Sequence, residues 1–301
     1  MSHALAESTW NTYRVGVRRY VRFCRQLHLP ALPFDEDILQ MFVTSLSFSV
    51  SVKTIRVYLC GVQAFARIAG HRVSLSDMVQ LDYLLLGIRR VHGDRFRRRR
   101  RAPITLAQLR SIIEWVGQVY SRHDAFMLSS AVTLAFFGLL RVSEYTCPTN
   151  TRFDPAWHLS VDDVTFHLHR RLAYITIKAS KTDPFRESAV VRVGMSGGEL
   201  CPVTWLVSYL GVRRGGRPLY LFEDGRFLTR RHVSAVLQGA LGSHANVNTH
   251  SFRIGGASAL AGANVPAYQI QILGRWRSDA FLTYIRLSDE HVIQTAEHLT
   301  R

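Results

Sequence analysis

The 301-residue chain carries 38 Lys+Arg against 22 Asp+Glu, a formal net charge of +16, with 47% hydrophobic and 11% aromatic residues. That apolar content supports real cores and excludes wholesale disorder, and the length favours about two domains of roughly 100–200 residues each. The longest apolar run, residues 129–140, ends in Arg141, well short of the roughly 20 residues a bilayer span needs, so a polyanion rather than a membrane is the expected partner of the basic excess.

The first seven residues have neither the basic nor the apolar region of a secretory signal, which predicts no export. Residues 1–92 read as a helical domain. Trp10, Tyr13, Val17, Tyr20, Val21 and Cys24 recur at three- and four-residue steps, with Arg14, Arg18, Arg22 and Arg25 on another face, which makes an amphipathic basic helix. Asp35, Glu36 and Asp37 open a second helical run over 38–46, where the helix dipole favours acidic residues. In a third run Ile55, Tyr58, Leu59, Val62, Phe65 and Ala66 share a face, and Lys53, Arg56 and Arg67 lie off it; a fourth, over 77–90, is less regular. Residues 93–103 contain five consecutive arginines, Arg97 to Arg101, closed by Pro103, and predict a basic linker.

Residues 104–301 form the second expected domain. Thr105 followed by Gln108 is a capping-box pattern opening a helix, and another helix is predicted over 125–140. The period then falls to two. Residues 159–169 and 172–179 read as strands around a turn at 169–171, residues 188–193 as a third strand, and helical patterns resume from Pro202. Cys24, Cys60, Cys147 and Cys201 are far apart with no paired motif, which predicts reduced, mostly buried thiols. His167 and His169 share a strand face, but two ligands do not make a metal site, and they read as surface residues.

The chemistry-bearing pattern is spread over the second domain. His250 and Arg253, three apart, share a helical face, and Gly255 and Gly256 follow at a cost of about 1 kcal/mol each in helix propensity, which points to a close backbone approach. Leu273-Gly274-Arg275-Trp276 comes next, with Trp276 23 positions beyond Arg253 and Tyr284 eight beyond Trp276. Upstream, Arg141 follows Gly138-Leu139-Leu140 and precedes Glu144 by one turn, and Lys181, one of three lysines in the chain, follows a predicted strand.

This ordered set resembles the tyrosine recombinase (phage integrase) family, whose signature is an early arginine in Gly-Leu-Arg-x-x-Glu, a hairpin lysine, His-x-x-Arg, Gly-x-His/Trp and a tyrosine eight or nine residues later. The wording of residues 250–256 and 273–281 is most similar to recombinases of DIRS-type eukaryotic mobile elements. The resemblance implies a mostly α fold: a helical, SAM-like core-binding domain and a mixed α+β catalytic domain with a small antiparallel sheet, closing as a C-shaped clamp on double-stranded DNA. It further implies a site-specific recombinase or integrase that works without metal or cofactor through a 3′-phosphotyrosyl bond to Tyr284. Arg141 and Arg253 would stabilise the phosphate, Lys181 would protonate the 5′-oxygen, His250 would accept the phenolic proton or donate to the phosphate, Trp276 would offer its N–H, and Glu144 would support Arg141.

Arg18, Arg22, Lys53, Arg56, Arg97 and Arg98 are the candidate DNA contacts. The family's habits also imply a homotetramer on two synapsed sites, with the apolar stripe of Val292, Ile293, Ala296 and Leu299 packing on its own domain or exchanged between protomers. A nuclear location would follow for a eukaryotic element and a bacterial cytoplasm otherwise. A type IB topoisomerase would share the chemistry but relax supercoils without synapsis, and the His-x-x-Arg spacing and short chain argue against it. An inactive DNA-binding relic would keep fold and charge, but retention of all six positions argues against decay.

Overall fold

The computed structural model describes residues 6–93, 95–96, 100–179, 187–286, 292–293 and 296–297. Arg97, Arg98 and Lys181 lie outside the described residues, as does Leu299 of the C-terminal stripe. The chain divides into two compact units, 1–99 and 100–301.

The first unit holds four helices, α1 (Glu7–Gln26), α2 (Glu36–Ser47), α3 (Val52–Ile68) and α4 (Val79–His92). The Asp35 carboxylate accepts the backbone N–H groups of Asp37 and Ile38 at 2.7 and 3.2 Å, satisfying donors that the start of α2 leaves unpaired. Tyr20, Leu39, Phe42, Val43, Ile55, Leu59, Val62 and Leu85 fill the core. Helices α1 and α3 pack in close contact because Gly16 faces Tyr58 and Gly61 faces Tyr13: a Cβ on Gly16 would stand 2.7 Å from the Tyr58 Cα. Arg18, Arg22, Lys53 and Arg56 remain on the exposed faces of these two helices, as the amphipathic pattern requires. Arg56 forms an exposed ion pair with Asp82 at 3.3 Å.

The second unit is built around α6 (Arg122–Phe137), buried along most of its length. Against it lie α5 (Leu106–Val119), α8 (Pro202–Val212) and α10 (Ser251–Gly262); α7 (Val142–Tyr145), α9 (Arg230–Leu241) and α11 (Ala267–Gly274) complete the described helices. Thr105 and Gln108 close both bonds of the capping box on α5, each at 3.1 Å. Strands β1 (Val164–His167), β2 (Leu172–Ile177) and β3 (Ala189–Gly194) form one antiparallel sheet in the order β1-β2-β3. Its inner face, Ala173, Ile175, Ile177, Val191 and Val193, joins the core, while Tyr174 and Arg192 pair on the other face. Among the described residues no helix is long and apolar enough to cross a membrane. All four cysteines are free thiols, three of them buried and Cys60 exposed.

Several boundaries differ from the sequence-based expectation, three of them around the site-bearing segments. The first strand starts at Val164 rather than 159, because the Asp163 carboxylate accepts from the Ser160 backbone N–H and hydroxyl, both at 2.7 Å, and winds 161–163 into a 3-10 turn. The link to β2 is also a 3-10 turn, Leu168–Arg170. Helix α6 stops at Phe137 instead of running to 140. Leu139 takes a left-handed conformation (φ 49°), and the Leu140 N–H reaches back to the Ala135 carbonyl at 3.0 Å, a Schellman-type ending. Arg141 therefore opens α7 rather than closing α6.

Candidate active site

The site is built on the turn that ends α6. A leucine in the left-handed region costs about 1 kcal/mol relative to glycine. The turn aims the Leu139 carbonyl at two guanidiniums: Arg253 Nη1 donates to it, and Arg275 Nη2 does so at 3.4 Å. Two residues beyond Leu139, Arg141 sits extended at the N-terminus of α7, where its backbone N–H and its Nη1 donate to the two oxygens of Glu144, each at 2.9 Å. Glu144 is 4% exposed, and its Oε2 also accepts from Arg275 Nη2 at 2.9 Å. One buried carboxylate thus holds two arginines from different elements.

Helix α10 brings His250 and Arg253 to this turn. Its close approach depends on the glycine pair: a Cβ on Gly255 would stand 2.0 Å from the Ile104 carbonyl oxygen, and one on Gly256 2.3 Å from the Phe136 carbonyl oxygen. Seated this deeply, Arg253 is 0% exposed. Its second terminal nitrogen, Nη2, donates to the Gly274 carbonyl at the end of α11, and its Cζ lies 4.3 Å from the Trp276 ring centroid and 5.9 Å from that of Tyr284. The fork that sequence reading assigned to a phosphate is occupied here by two backbone carbonyls, and Nε is its one nitrogen without a partner. Burial pushes the Arg253 guanidinium down from its ordinary value and repulsion from Arg141 adds to the effect, which marks a charge short of a counter-ion.

Tyr284 completes the group. Its ring packs edge-on against His250 and tilted against Trp276, with both centroid distances 5.1 Å. The backbone around it is pinned to α10 by Ser258, whose hydroxyl donates to the Tyr284 carbonyl at 3.2 Å and accepts the Arg286 N–H at 2.9 Å. His250 is half-buried, with its backbone N–H on Asn248 Oδ1 at 2.9 Å. Burial lowers its imidazole below the ordinary range, and the charges of Arg253, Arg141 and Arg230 push the same way, which favours the neutral, proton-accepting ring.

Within one chain, then, His250, Arg253, Trp276 and Tyr284 touch or stack, and Arg141 joins them through Glu144 and Arg275. Lys181 lies outside the described residues. The nearby Lys178 is committed elsewhere, 2.7 Å from Asp163 and 2.9 Å from the Pro155 carbonyl. Arg275 and Ser258 were missed by sequence reading. The signal for Arg275 was a charge set between the glycine and tryptophan of the motif; Ser258 gave none. The site holds three arginines and one carboxylate, which pairs with two of them, and three of the five buried side-chain polar atoms without a partner among the described residues are N–H groups of this site: Arg253 Nε, Arg275 Nη1 and Trp276 Nε1. Such a cluster is complementary to an anion rich in acceptors.

The fold is that of the tyrosine recombinases. The XerH site-specific recombinase bound to palindromic difH substrate, in a post-cleavage complex, superposes with a TM-score of 0.64 at 15% identity over 97% of this chain and 80% of that one. The Tn1549 transposon integrase in complex with transposon right end DNA gives 0.60 at 16% identity, covering 99% and 95%. A lambda integrase dimer bound to a COC′ core site gives 0.60 at 14%, covering 95% and 73%. No family model matches the chain, and no curated protein matches it.

Proposed function

We propose that this chain is a site-specific DNA recombinase that cleaves and rejoins strands through a covalent bond to Tyr284. The phenol oxygen attacks the scissile phosphorus and its proton passes to the neutral His250. The bond from phosphorus to the 5′-oxygen breaks, Lys181 supplies the proton that oxygen takes, and the 3′-phosphate stays on Tyr284. Attack by a second 5′-hydroxyl reverses the sequence, so the phosphodiester energy is conserved without a cofactor. Arg141, Arg253 and the Trp276 N–H offset the charge that grows on the nonbridging oxygens.

One observation carries the reading: a tyrosine packed edge-on to a histidine and tilted against a tryptophan, beside a buried arginine with an unpartnered Nε, in a chain with the recombinase fold. The resemblance assigns the leaving-group proton to Lys181, and Lys178, the other lysine of this unit, is held by Asp163. The wording around His250 and Trp276 favours a DIRS-type mobile element acting in a nucleus. A homotetramer on two synapsed duplexes would be the working assembly, with Arg18, Arg22, Lys53 and Arg56 of the first unit, together with Arg97 and Arg98, on phosphates.

The test is a library of nicked duplexes of randomised sequence, incubated with the full chain and screened for complexes that survive denaturation. The wild type accumulates a protein–DNA adduct, with the modified peptide containing Tyr284, and Tyr284→Phe forms none while still retaining DNA. Retention of DNA without any adduct in the wild type would overturn the reading.

A further inference from the structure

Arg275 is not one of the residues the recombinase signature fixes, yet its guanidinium bonds both to the turn that ends α6 and to the carboxylate beside Arg141. It stands at the C-terminal end of α11 in the left-handed region (φ 56°), where glycine or asparagine is the usual occupant and a long side chain needs a compensating role. That conformation turns its guanidinium back to the end of α6, 131 residues away from Glu144 in sequence. There Nη2 donates to Glu144 Oε2 at 2.9 Å and to the Leu139 carbonyl at 3.4 Å. The same carboxylate receives the Arg141 guanidinium on Oε1 and the Arg141 backbone N–H on Oε2. Arg275 is also the residue before Trp276 and lies nine before Tyr284.

We propose that Arg275 is a positioning residue for strand cleavage: it fixes the Glu144 carboxylate, which in turn fixes the guanidinium of Arg141, and so ties the segment bearing the nucleophile to the segment bearing the phosphate-binding arginine. The proposal rests on the recombinase reading above. Arg141 engages both oxygens of this 4% exposed carboxylate, but only from its own turn of chain; Arg275 adds a second charged donor on Oε2 from the other side and so sets where the carboxylate, and the Arg141 guanidinium paired with it, stand relative to the segment bearing Tyr284. Glu144 is the relay, so the effect of Arg275 should vanish when the relay is disabled.

The experiment measures the rate of adduct formation by the full chain on the nicked randomised duplexes, alongside retention of the same duplexes in a native gel. Arg275→Met slows adduct formation about 10- to 100-fold, the penalty of a misplaced catalytic group, while retention stays within about twofold. Arg275→Lys, which keeps a cation for Glu144, recovers part of the rate. In a Glu144→Gln background the further loss from Arg275→Met shrinks to less than about threefold, since the two changes act on one unit. The full loss persisting in that background would mean that Arg275 acts directly on DNA or only on folding, and would overturn the proposal, as would an unimpaired Arg275→Met. Thermal melts of each variant identify any that fails to fold, and Arg275→Lys against wild type, with and without Glu144→Gln, then carries the same comparison. A wild-type chain that forms no adduct at all is a separate outcome: it refutes the recombinase reading and the positioning role with it.

Discussion

A phenol packed against a neutral imidazole sets the protonation logic of the site. His250 is lowered by burial and by three neighbouring arginines, so its neutral, proton-accepting form persists below the ordinary value of 6.5. The sign is definite. The acid decline of adduct formation should have its midpoint below 6.5, and His250→Gln should slow the reaction and remove that acid limb, read from a pH–rate profile of covalent complex. A decline centred above 6.5 would contradict the assignment. At this scale the sequence was informative where residues recur at local spacings. His250 and Arg253 are one helical turn apart, and Glu144 one turn from Arg141, so their juxtapositions follow from helix geometry. Leu139, Ser258 and Arg275 were not legible, because a backbone carbonyl, a hydroxyl pinning a distant strand of chain and a guanidinium at a left-handed turn act across more than 20 residues and leave no periodic trace.

Among elements, the decisive contact is α10 against the end of α6. The glycine pair on α10 was readable as a demand for close approach, and the approach proves to be against the carbonyls of Ile104 and Phe136. Gly256→Ala should therefore destabilise, although alanine is the better helix former by about 1 kcal/mol. Overpacking costs about 1–3 kcal/mol, which lowers Tm by roughly 2–12 °C in a unit of this size. Gly262→Ala, in the same helix with open space beside it, should leave Tm unchanged or raise it. Equal melting temperatures for the two variants would show that α10 does not press on α6. The end of α6 itself was misjudged by sequence. Gly138-Leu139-Leu140 continues an apolar run, and periodicity cannot distinguish a buried helix from a Schellman ending whose left-handed residue is leucine rather than glycine.

For the whole molecule, the two units keep separate cores. The buried cluster of the first runs from Tyr20 to Ile88, and those of the second begin at Ile104. Residues 100–301 expressed alone should accordingly show one cooperative thermal transition and a native helical spectrum; a fragment that melts without a transition would show that the second core depends on the first. The linear chain by itself determined the helical and strand periods, the change of composition around residues 93–103 and the ordered spacing of the reactive side chains, since each of these is set by neighbours within a few turns. Only the tertiary structure decided that Leu139 turns its carbonyl toward Arg253 and Arg275, and that one buried carboxylate serves two arginines. Those contacts join residues 114 to 136 apart, and their partners are backbone groups and a reversed helix end that no local pattern encodes.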